Sequence, residues 1–163
     1  MKQTLILLAA VVFAITASAQ DNPVEFTSTK LSETVYMLKG RGGNVGVSAG
    51  EDGVYIIDDQ LKPITDGLIA AVAEISNQPI KFVINTHYHF DHVGGNETLG
   101  EAGSVIIAHD NIRKRMTTEQ VNNFMNRTFE PYPKAALPVL TFNDQVSLHF
   151  NGESVTEIGR AHV

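Results

Sequence analysis

The sequence comprises 163 residues, with 18 acidic and 12 basic side chains, a formal net charge of −6 and no cysteine. The acidic balance argues against nonspecific binding to nucleic acid, because a phosphate backbone attracts basic surfaces. Without cysteine, the sequence forms no disulfide and offers no thiolate to a metal ion. We therefore expect an ordinary globular domain with no nucleic-acid partner.

The N-terminus has the three-part layout of a secretory signal peptide. A short positive start, Met1-Lys2, precedes an apolar run over residues 5–15, and Ala17-Ser18-Ala19 matches a small-residue cleavage site. The apolar run is shorter than the roughly 20 residues that a membrane span requires, and no cysteine is present for lipid attachment. We predict a signal peptide over residues 1–19, cleavage near Ala19, no stable membrane anchor, and a periplasmic or secreted protein.

Strand patterns come next along the chain, first alone and then alternating with helices. The predicted strands have alternating or continuously apolar side chains, bounded by glycine, asparagine and aspartate turns. They cover residues 33–39, 44–49, 54–57, 80–84, 104–108, 139–142, 145–150 and 154–158. This order predicts one α/β domain without repeats or an internal linker.

Helical patterns lie between these strands. Apolar spacing predicts a helix over residues 63–75 and a short one over residues 96–100. Asp110 is predicted to cap a third helix, whose basic cluster at residues 113–115 is interpreted as a solvated face and not as a binding patch. The polar segment 117–137 carries two prolines and is predicted to form the remains of a helix and a mobile loop over the site.

The segment after the strand at 80–84 places three histidines and an aspartate within six positions. These are His87, His89, Asp91 and His92, followed by a Gly-Gly turn. Side chains of an extended strand alternate, so the first three can point to one side while His92 turns to the other. Imidazole and carboxylate are ligands of Zn²⁺, and a catalytic site keeps one position open for water. A lone histidine is usually an ordinary residue, but four ligand-type residues in this order and context indicate a metal site.

The same segment, residues 86–95, resembles the signature of the metallo-β-lactamase superfamily. That superfamily includes β-lactamases, glyoxalase II-type thioesterases, lactonases, arylsulfatases and persulfide dioxygenases. The resemblance implies that His87 and His89 bind a first metal ion, and that Asp91 and His92 bind a second. It also implies that His162, in the segment Gly-Arg-Ala-His, completes the first site.

The implied fold is an αββα sandwich of the metallo-β-lactamase type, with the resemblance running from about Val35 to the last residue. Members of the family continue beyond the position of His162 and supply there an acid that bridges the metals and a last histidine. We therefore expect residues 20–163 to be a C-terminally truncated domain with only the first half of the sandwich present. A half-domain that dimerises is the alternative.

The resemblance also implies the chemistry. Two Zn²⁺ ions per full-length chain are expected, with iron or manganese as alternatives, and Asp91 is expected to orient the attacking water and handle its proton. Asp58 and Asp59 directly follow the strand at 54–57. We expect them to hydrogen-bond a ligand histidine or hold the metal loop, against the alternative of a plain turn.

The expected activity is hydrolysis of a small-molecule carbonyl substrate: a β-lactam, a lactone or another ester-like compound. The signal sequence disfavours a cytosolic glutathione thioester. A mononuclear iron persulfide dioxygenase fits the same ligands but fits a secretory signal poorly, and a noncatalytic module with a vestigial site conflicts with the five-ligand set. Tyr88 and Phe90 are expected to line the pocket or pack beneath the loop, whereas His109 and His149 are expected to have structural or surface roles.

Overall fold

The computed structural model describes residues 24–159. The predicted signal peptide at residues 1–19 and His162 lie outside the described residues. The strands are β1 (Thr27–Lys30), β2 (Val35–Lys39), β3 (Asn44–Gly50), β4 (Gly53–Ile57), β5 (Ile80–Asn85), β6 (Val105–His109), β7 (Gln120–Asn122), β8 (Arg127–Phe129), β9 (Leu140–Phe142), β10 (Gln145–Phe150) and β11 (Glu153–Ile158). The helices are α1 (Thr65–Ile75), α2 (Asn96–Glu101) and α3 (Asp110–Met116), with single 3₁₀ turns at Lys62–Ile64 and Lys134–Ala136. Within this described part, none of the helices is long and apolar enough to cross a membrane.

Seven strands form one sheet in the order β1-β2-β3-β4-β5-β6-β9. The first four pair antiparallel, and β4, β5, β6 and β9 pair parallel. Parallel strands need crossover connections, which α1 and α2 provide. The carboxyl ends of β4, β5 and β6 therefore meet at one edge of the sheet, where open α/β sheets commonly bind their ligands.

One face of this sheet is covered by helices. Leu68 and Val72 of α1 and Leu99 of α2 are fully or almost fully buried against the sheet. Their sheet partners include Val54, Ile56, Val83 and Ile106, which alternate along the central strands. Each such side chain contributes about 1.5–3 kcal/mol when it leaves water, so this apolar layer holds the strand ends in register.

The opposite face is covered by the β10–β11 hairpin. Tyr55, Ile84, Ile107 and Phe142 project from the large sheet onto the inward side chains of the hairpin, including Phe150. The Phe150 ring meets the Tyr55 ring edge-on at 5.9 Å. The molecule thus has a helix layer, a seven-stranded sheet and a two-stranded sheet, which is the layering expected for the first three parts of an αββα sandwich.

Asn151, at the turn of this hairpin, fastens it to the large sheet. Its side-chain amide donates to Ser48 Oγ at 3.0 Å and to the Gly53 carbonyl at 3.1 Å, and its backbone amide donates to Asp52 Oδ2 at 2.6 Å. Asn151 has a φ of 55°, a conformation that asparagine tolerates better than most residues. The tie joins parts of the chain about 100 residues apart and sets where the second sheet begins.

The segment 117–137 differs from its prediction. It forms the β7–β8 hairpin, paired from Gln120↔Phe129 to Asn122↔Arg127, and a 3₁₀ turn instead of a helix remnant and mobile loop. The turn depends on asparagines: Asn122 Oδ1 accepts from the Met125 amide at 2.9 Å, and Asn126 has a φ of 47°. Asparagine closes such turns through its own side chain.

The start of α3 and one edge strand also differ from the sequence analysis. The cap of α3 is His109, whose Nδ1 accepts from the Asn111 amide at 3.1 Å, and Asp110 is the first helical residue. The strand β1 was not predicted, because its four residues are all exposed and carry no apolar alternation. The other predicted strands and helices are present, with bounds shifted by one or two residues at most of their ends.

Candidate metal centre

The candidate site lies at the sheet edge formed by the carboxyl ends of β4 and β5. Asp58 directly follows β4, and the loop that carries His87, His89, Asp91 and His92 directly follows β5. The parallel pairing of β4 with β5 brings these two segments together. The structure thus gathers in one place four of the five predicted metal ligands, the fifth being outside the described residues.

Asp58 is the hub of this cluster. Its Oδ1 accepts from the Thr86 amide, and its Oδ2 accepts from both Thr86 Oγ1 and His92 Nδ1, all at 2.8 Å. A carboxylate only accepts, so His92 carries its proton on Nδ1. The other nitrogen of His92, Nε2, is therefore the one with a lone pair for a metal ion.

The same hydrogen bonds define the tautomer of His87. Thr86 Oγ1 gives its only proton to Asp58, so it accepts the proton of His87 Nδ1, which lies 3.0 Å away. His87 is then left with its lone pair on Nε2. One carboxylate thus prepares two imidazoles for metal binding, one directly and one through a threonine hydroxyl. This is the arrangement in which outer partners orient metal ligands and raise their basicity.

The three imidazoles lie close to one another, so the prediction that His92 turns to the opposite side is wrong: the segment forms a turn, with the His92 amide donating to the His89 carbonyl at 2.9 Å, and is not an extended strand. The His87 ring centre is 3.9 Å from that of His92 and 4.7 Å from that of His89. Burial lowers the pKa of His87, and the neighbouring His92 and His89 lower it further. His87 is therefore neutral at neutral pH, which is the form that binds a metal ion.

Asp91 faces the outer nitrogen of His92. Its Oδ2 lies 3.6 Å from His92 Nε2. Two ligand atoms that share a tetrahedral Zn²⁺ at about 2.0–2.2 Å lie about 3.4 Å apart. The pair therefore fits a shared ion with little movement. Asp58, His87 and His92 also offer atoms within 4.8 Å of one another, but both Asp58 oxygens are already occupied by hydrogen-bond donors.

Asp59 holds the loop at the Gly-Gly turn. Its side chain is fully buried, and its Oδ1 accepts from the Gly95 amide at 2.8 Å. Burial raises the pKa of Asp59 well above its ordinary value, and nearby Asp58 adds to this shift. The backbone assists: the Asp59 amide donates to the His92 carbonyl at 3.0 Å, and the Gly94 amide donates to the Gln60 carbonyl at 2.8 Å.

Gly94 is required by this close approach. A Cβ at Gly94 would overlap the Gln60 carbonyl oxygen and the Lys62 amide nitrogen. The Gly-Gly turn of the motif therefore allows the metal loop to lie directly on the segment that follows β4. This contact, and not the glycine's freedom of φ, explains the residue at this position.

Two buried asparagines support the loop from beneath and were missed in the sequence analysis. Asn85 and Asn96 exchange side-chain hydrogen bonds at 3.1 and 2.9 Å, and Asn96 also donates to the Ala136 carbonyl at 2.9 Å. Both are fully buried. The sequence did contain a signal for them: Asn85 ends a buried strand and Asn96 begins a short helix, and a polar amide at such a position needs hydrogen-bond partners when it is buried.

A cavity of about 280 Å³ lies beside the metal loop. Tyr88, His89 and Phe90 form one wall, as expected for the two aromatic residues, and the β7–β8 hairpin forms another. Arg115 also lines the cavity, with its guanidinium over the Tyr88 ring at 4.9 Å. The interpretation of residues 113–115 as a solvated face is therefore wrong for Arg115, because α3 turns this side chain toward the loop.

The remaining two histidines of the described chain lie outside the cluster. His109 is 7% exposed, caps α3 and hydrogen-bonds the Asn143 carbonyl at 2.8 Å. His149 is exposed on β10. Both have the structural or surface roles expected for them.

Comparison with known proteins identifies relatives of this arrangement. The model of the metallo-beta-lactamase superfamily matches residues 38–161. Over 70 residues the chain is 41% identical to a hydroxyacylglutathione hydrolase of Pelagibacter ubique, which covers 38% of this chain and 29% of that protein. Over 52 residues it is 38% identical to a cytoplasmic hydroxyacylglutathione hydrolase of Arabidopsis thaliana, which covers 28% of this chain and 20% of that protein.

Solved structures share the fold. A metallo-beta-lactamase of Cronobacter sakazakii superposes with a TM-score of 0.69 at 17% identity, over 81% of this chain and 52% of that one. A subclass B3 metallo-beta-lactamase of Bradyrhizobium japonicum superposes with a TM-score of 0.67 at 18% identity, over 82% of this chain and 52% of that one. The chain thus spans about half the length of these structures and less than a third of each hydrolase.

Proposed function

Because this chain belongs to the metallo-β-lactamase superfamily, and the proteins it matches are named hydroxyacylglutathione hydrolases and metallo-beta-lactamases, we propose that it holds the metal centre of an enzyme that hydrolyses a small ester-like carbonyl substrate. The observation that carries this proposal is the convergence of His87, His89, Asp91 and His92 at one sheet edge, with Asp58 orienting two of the imidazoles.

The proposed first site uses His87 and His89, with His162 as its third ligand, and the proposed second site uses Asp91 and His92. The hydrogen bonds of His87 and His92 leave Nε2 available for an ion on both rings, and Asp91 lies beside Nε2 of His92. Nitrogen and carboxylate donors without thiolate suit Zn²⁺, and also iron or manganese. A bound ion of this kind supplies a Lewis acid for the carbonyl and a water that ionises near neutral pH.

The side chains of this chain then have distinct tasks. Asp91 would orient the attacking water and receive its proton, because its carboxylate is part of the proposed second site, 3.6 Å from His92 Nε2. Asp58 holds His92 in position and keeps its proton on Nδ1. The cavity beside His89 holds the acyl part of the substrate near the reacting carbonyl.

The substrate class follows from two sources of support. The relatives named hydroxyacylglutathione hydrolases act on a thioester, and the structures named metallo-beta-lactamases act on a cyclic amide. Both reactions transfer an acyl group to water. The signal-peptide pattern at residues 1–19 supports a periplasmic or secreted enzyme, so we favour a β-lactam or lactone over an intracellular thioester.

The test combines metal analysis with a substrate panel. The full-length protein that contains this sequence is purified without chelator, its metal content is measured, and it is offered a chromogenic β-lactam, a lactone and an acyl-glutathione thioester. We expect close to two zinc ions and hydrolysis of at least one substrate. The variant His89→Ala should lose metal and activity, whereas the matched control His149→Ala should retain both. Metal-free protein that remains active contradicts the proposal, and one iron with oxygen consumption on a persulfide supports the dioxygenase instead.

A further inference from the structure

We infer that the cavity beside the metal loop binds an acyl group that ends in an anion, and that Arg115 is the residue that recognises this negative group. The inference rests on the proposed hydrolase function and names its substrate class. The substrate would be a small carbonyl compound whose flat apolar acyl part carries a carboxylate or a similar anion.

The position of Arg115 is fixed from two sides. Its guanidinium carbon lies 4.9 Å from the centre of the Tyr88 ring, and its Nη1 donates to Gln120 Oε1 at 3.1 Å. The Tyr88 ring in turn lies 4.9 Å from the His89 ring. Arg115 is therefore separated from a proposed metal ligand by a single aromatic ring. An acyl group that spans this ring would reach from the metal site to the guanidinium.

The charge of Arg115 has no carboxylate partner in the described part of the chain. Among residues 24–159, no carboxylate oxygen lies within 4.0 Å of its nitrogens. Glu130 lines the same cavity, but its side chain is exposed at the rim, whereas Arg115 is half-buried. Arginine has five N–H donors, and only one of them is used by a hydrogen bond to a described residue, Gln120. A half-buried guanidinium at a cavity is suited to a bidentate bond with a carboxylate.

The rest of the cavity accommodates a flat apolar group. The Phe90 and Phe129 rings are stacked at 5.9 Å with an angle of 17° between their planes, and Tyr132 lies against the same space. A cavity of about 280 Å³ holds a substituent the size of a substituted ring. Apolar walls with one placed polar group are typical of sites that select small ligands.

The experiment measures probe binding separately from hydrolysis. Phenylacetate and its neutral counterpart phenylacetamide are titrated by ligand-observed NMR against chelator-treated protein at low ionic strength. The chelator ensures that the carboxylate does not report on a bound metal. We expect the acid to bind about tenfold more tightly than the amide, as one charge-assisted bidentate contact implies.

Three variants assign this preference. Arg115→Met should abolish the preference for the acid and change amide binding by less than about threefold. Arg115→Lys should keep part of the preference, because it retains the charge but loses the planar fork. Lys114→Met removes a cation from the adjacent exposed position and should leave both affinities unchanged.

Equal affinities of the unmodified protein for acid and amide would overturn the inference, as would an acid preference that survives in Arg115→Met. Circular dichroism of each variant checks its folding. If Arg115→Met is unfolded, the reduced preference for the acid expected of Arg115→Lys becomes the test. The outcome is independent of the proposed hydrolase. Protein that shows the Arg115-dependent preference but hydrolyses nothing contradicts the activity alone. Hydrolysis of paired anionic and neutral esters at equal kcat/KM contradicts the substrate class alone.

Discussion

Replacing Asp58 by asparagine should weaken both metal sites by different amounts. The substitution keeps the size of the side chain but removes its charge and one of its acceptor atoms. Asp58 Oδ2 accepts from both His92 Nδ1 and Thr86 Oγ1, and its Oδ1 accepts from the Thr86 amide. An asparagine has a single acceptor oxygen and no charge, so it cannot serve all three donors and offers His92 only a neutral partner. His92 loses a direct bond to a charged group, whereas His87 loses only the alignment that Thr86 gives it.

The expected magnitudes follow from these bonds. A hydrogen bond to a charged group contributes about 1.5–3 kcal/mol and a neutral one about 0.5–1.5 kcal/mol. At about 1.4 kcal/mol per factor of ten, the second site should weaken roughly 10- to 100-fold, in the range found for lost outer partners of metal ligands. The first site should weaken by about tenfold or less.

Competition titration of Zn²⁺ against a chromophoric chelator measures the two affinities. Thr86→Val, which cuts only the branch to His87, should weaken the first site and spare the second. Asp66→Asn makes the same chemical change on the exposed surface of α1 and serves as the matched control. If Asp58→Asn binds both ions as tightly as the unmodified protein, then Asp58 does not orient the ligands, and the hydrogen-bonded relay has no role in metal binding.

Three further predictions concern stability. Gly94→Ala should lower the free energy of unfolding by about 1–3 kcal/mol, because its Cβ would overlap the backbone after β4. The control Gly43→Ala has open space around its Cβ and should be nearly neutral. Differential scanning fluorimetry compares the two variants, and equal melting temperatures would refute the close contact. Asn151→Gly should lower the free energy of unfolding by about 1–3 kcal/mol through its lost side-chain hydrogen bonds. Amide hydrogen exchange should become faster in β10 and β11 before it does so elsewhere. An equal increase throughout the protein would show that the Asn151 hydrogen bonds do not hold the hairpin on the large sheet. Burial raises the pKa of Glu157 from 4.5 to about 7, so the folded state holds this proton more tightly than the unfolded state. The carboxyl group therefore lowers the stability of the fold increasingly as the pH rises from 4.5 to about 7, and by a constant amount above that. Glu157→Gln should therefore raise the melting temperature most above pH 7 and least near pH 4.5, which a pH series against exposed Glu101→Gln checks; a pH-independent difference would contradict the shift.

The features that depend on residues adjacent in the chain could be predicted from the sequence. The three histidines and Asp91 could be recognised because a buried strand leads directly into them, and the largely apolar runs at residues 54–57 and 80–84 predicted the central strands of the sheet. The layered α/β class followed from the order of these elements. These features depend on short stretches of chain, so no tertiary information was needed to place them.

Features that depend on contacts between distant segments could not be predicted from the sequence. The bond of Asp58 to His92 crosses 34 positions, and the division of labour between Asp58 and Asp59 depends on which way each side chain turns at the end of β4. The strands β7 and β8 have three residues each, too few for a pattern, and they exist because asparagine closes their turn. Arg115 was interpreted as solvated because a basic run is usually exposed, but its direction depends on contact with Tyr88.

The central claim is that the ligands on the loop after β5 bind two different metal ions, while Asp58 hydrogen-bonds His92 and binds neither ion. Diffraction from crystals of the zinc-loaded protein, recorded on both sides of the zinc absorption edge, tests this directly. The account predicts two anomalous peaks, one bound by His87 and His89 and the other by Asp91 and His92, with Asp58 still hydrogen-bonded to His92 Nδ1. A single peak held by the Asp58 carboxylate together with His87 and His92, or the lack of any peak at this loop, would contradict it.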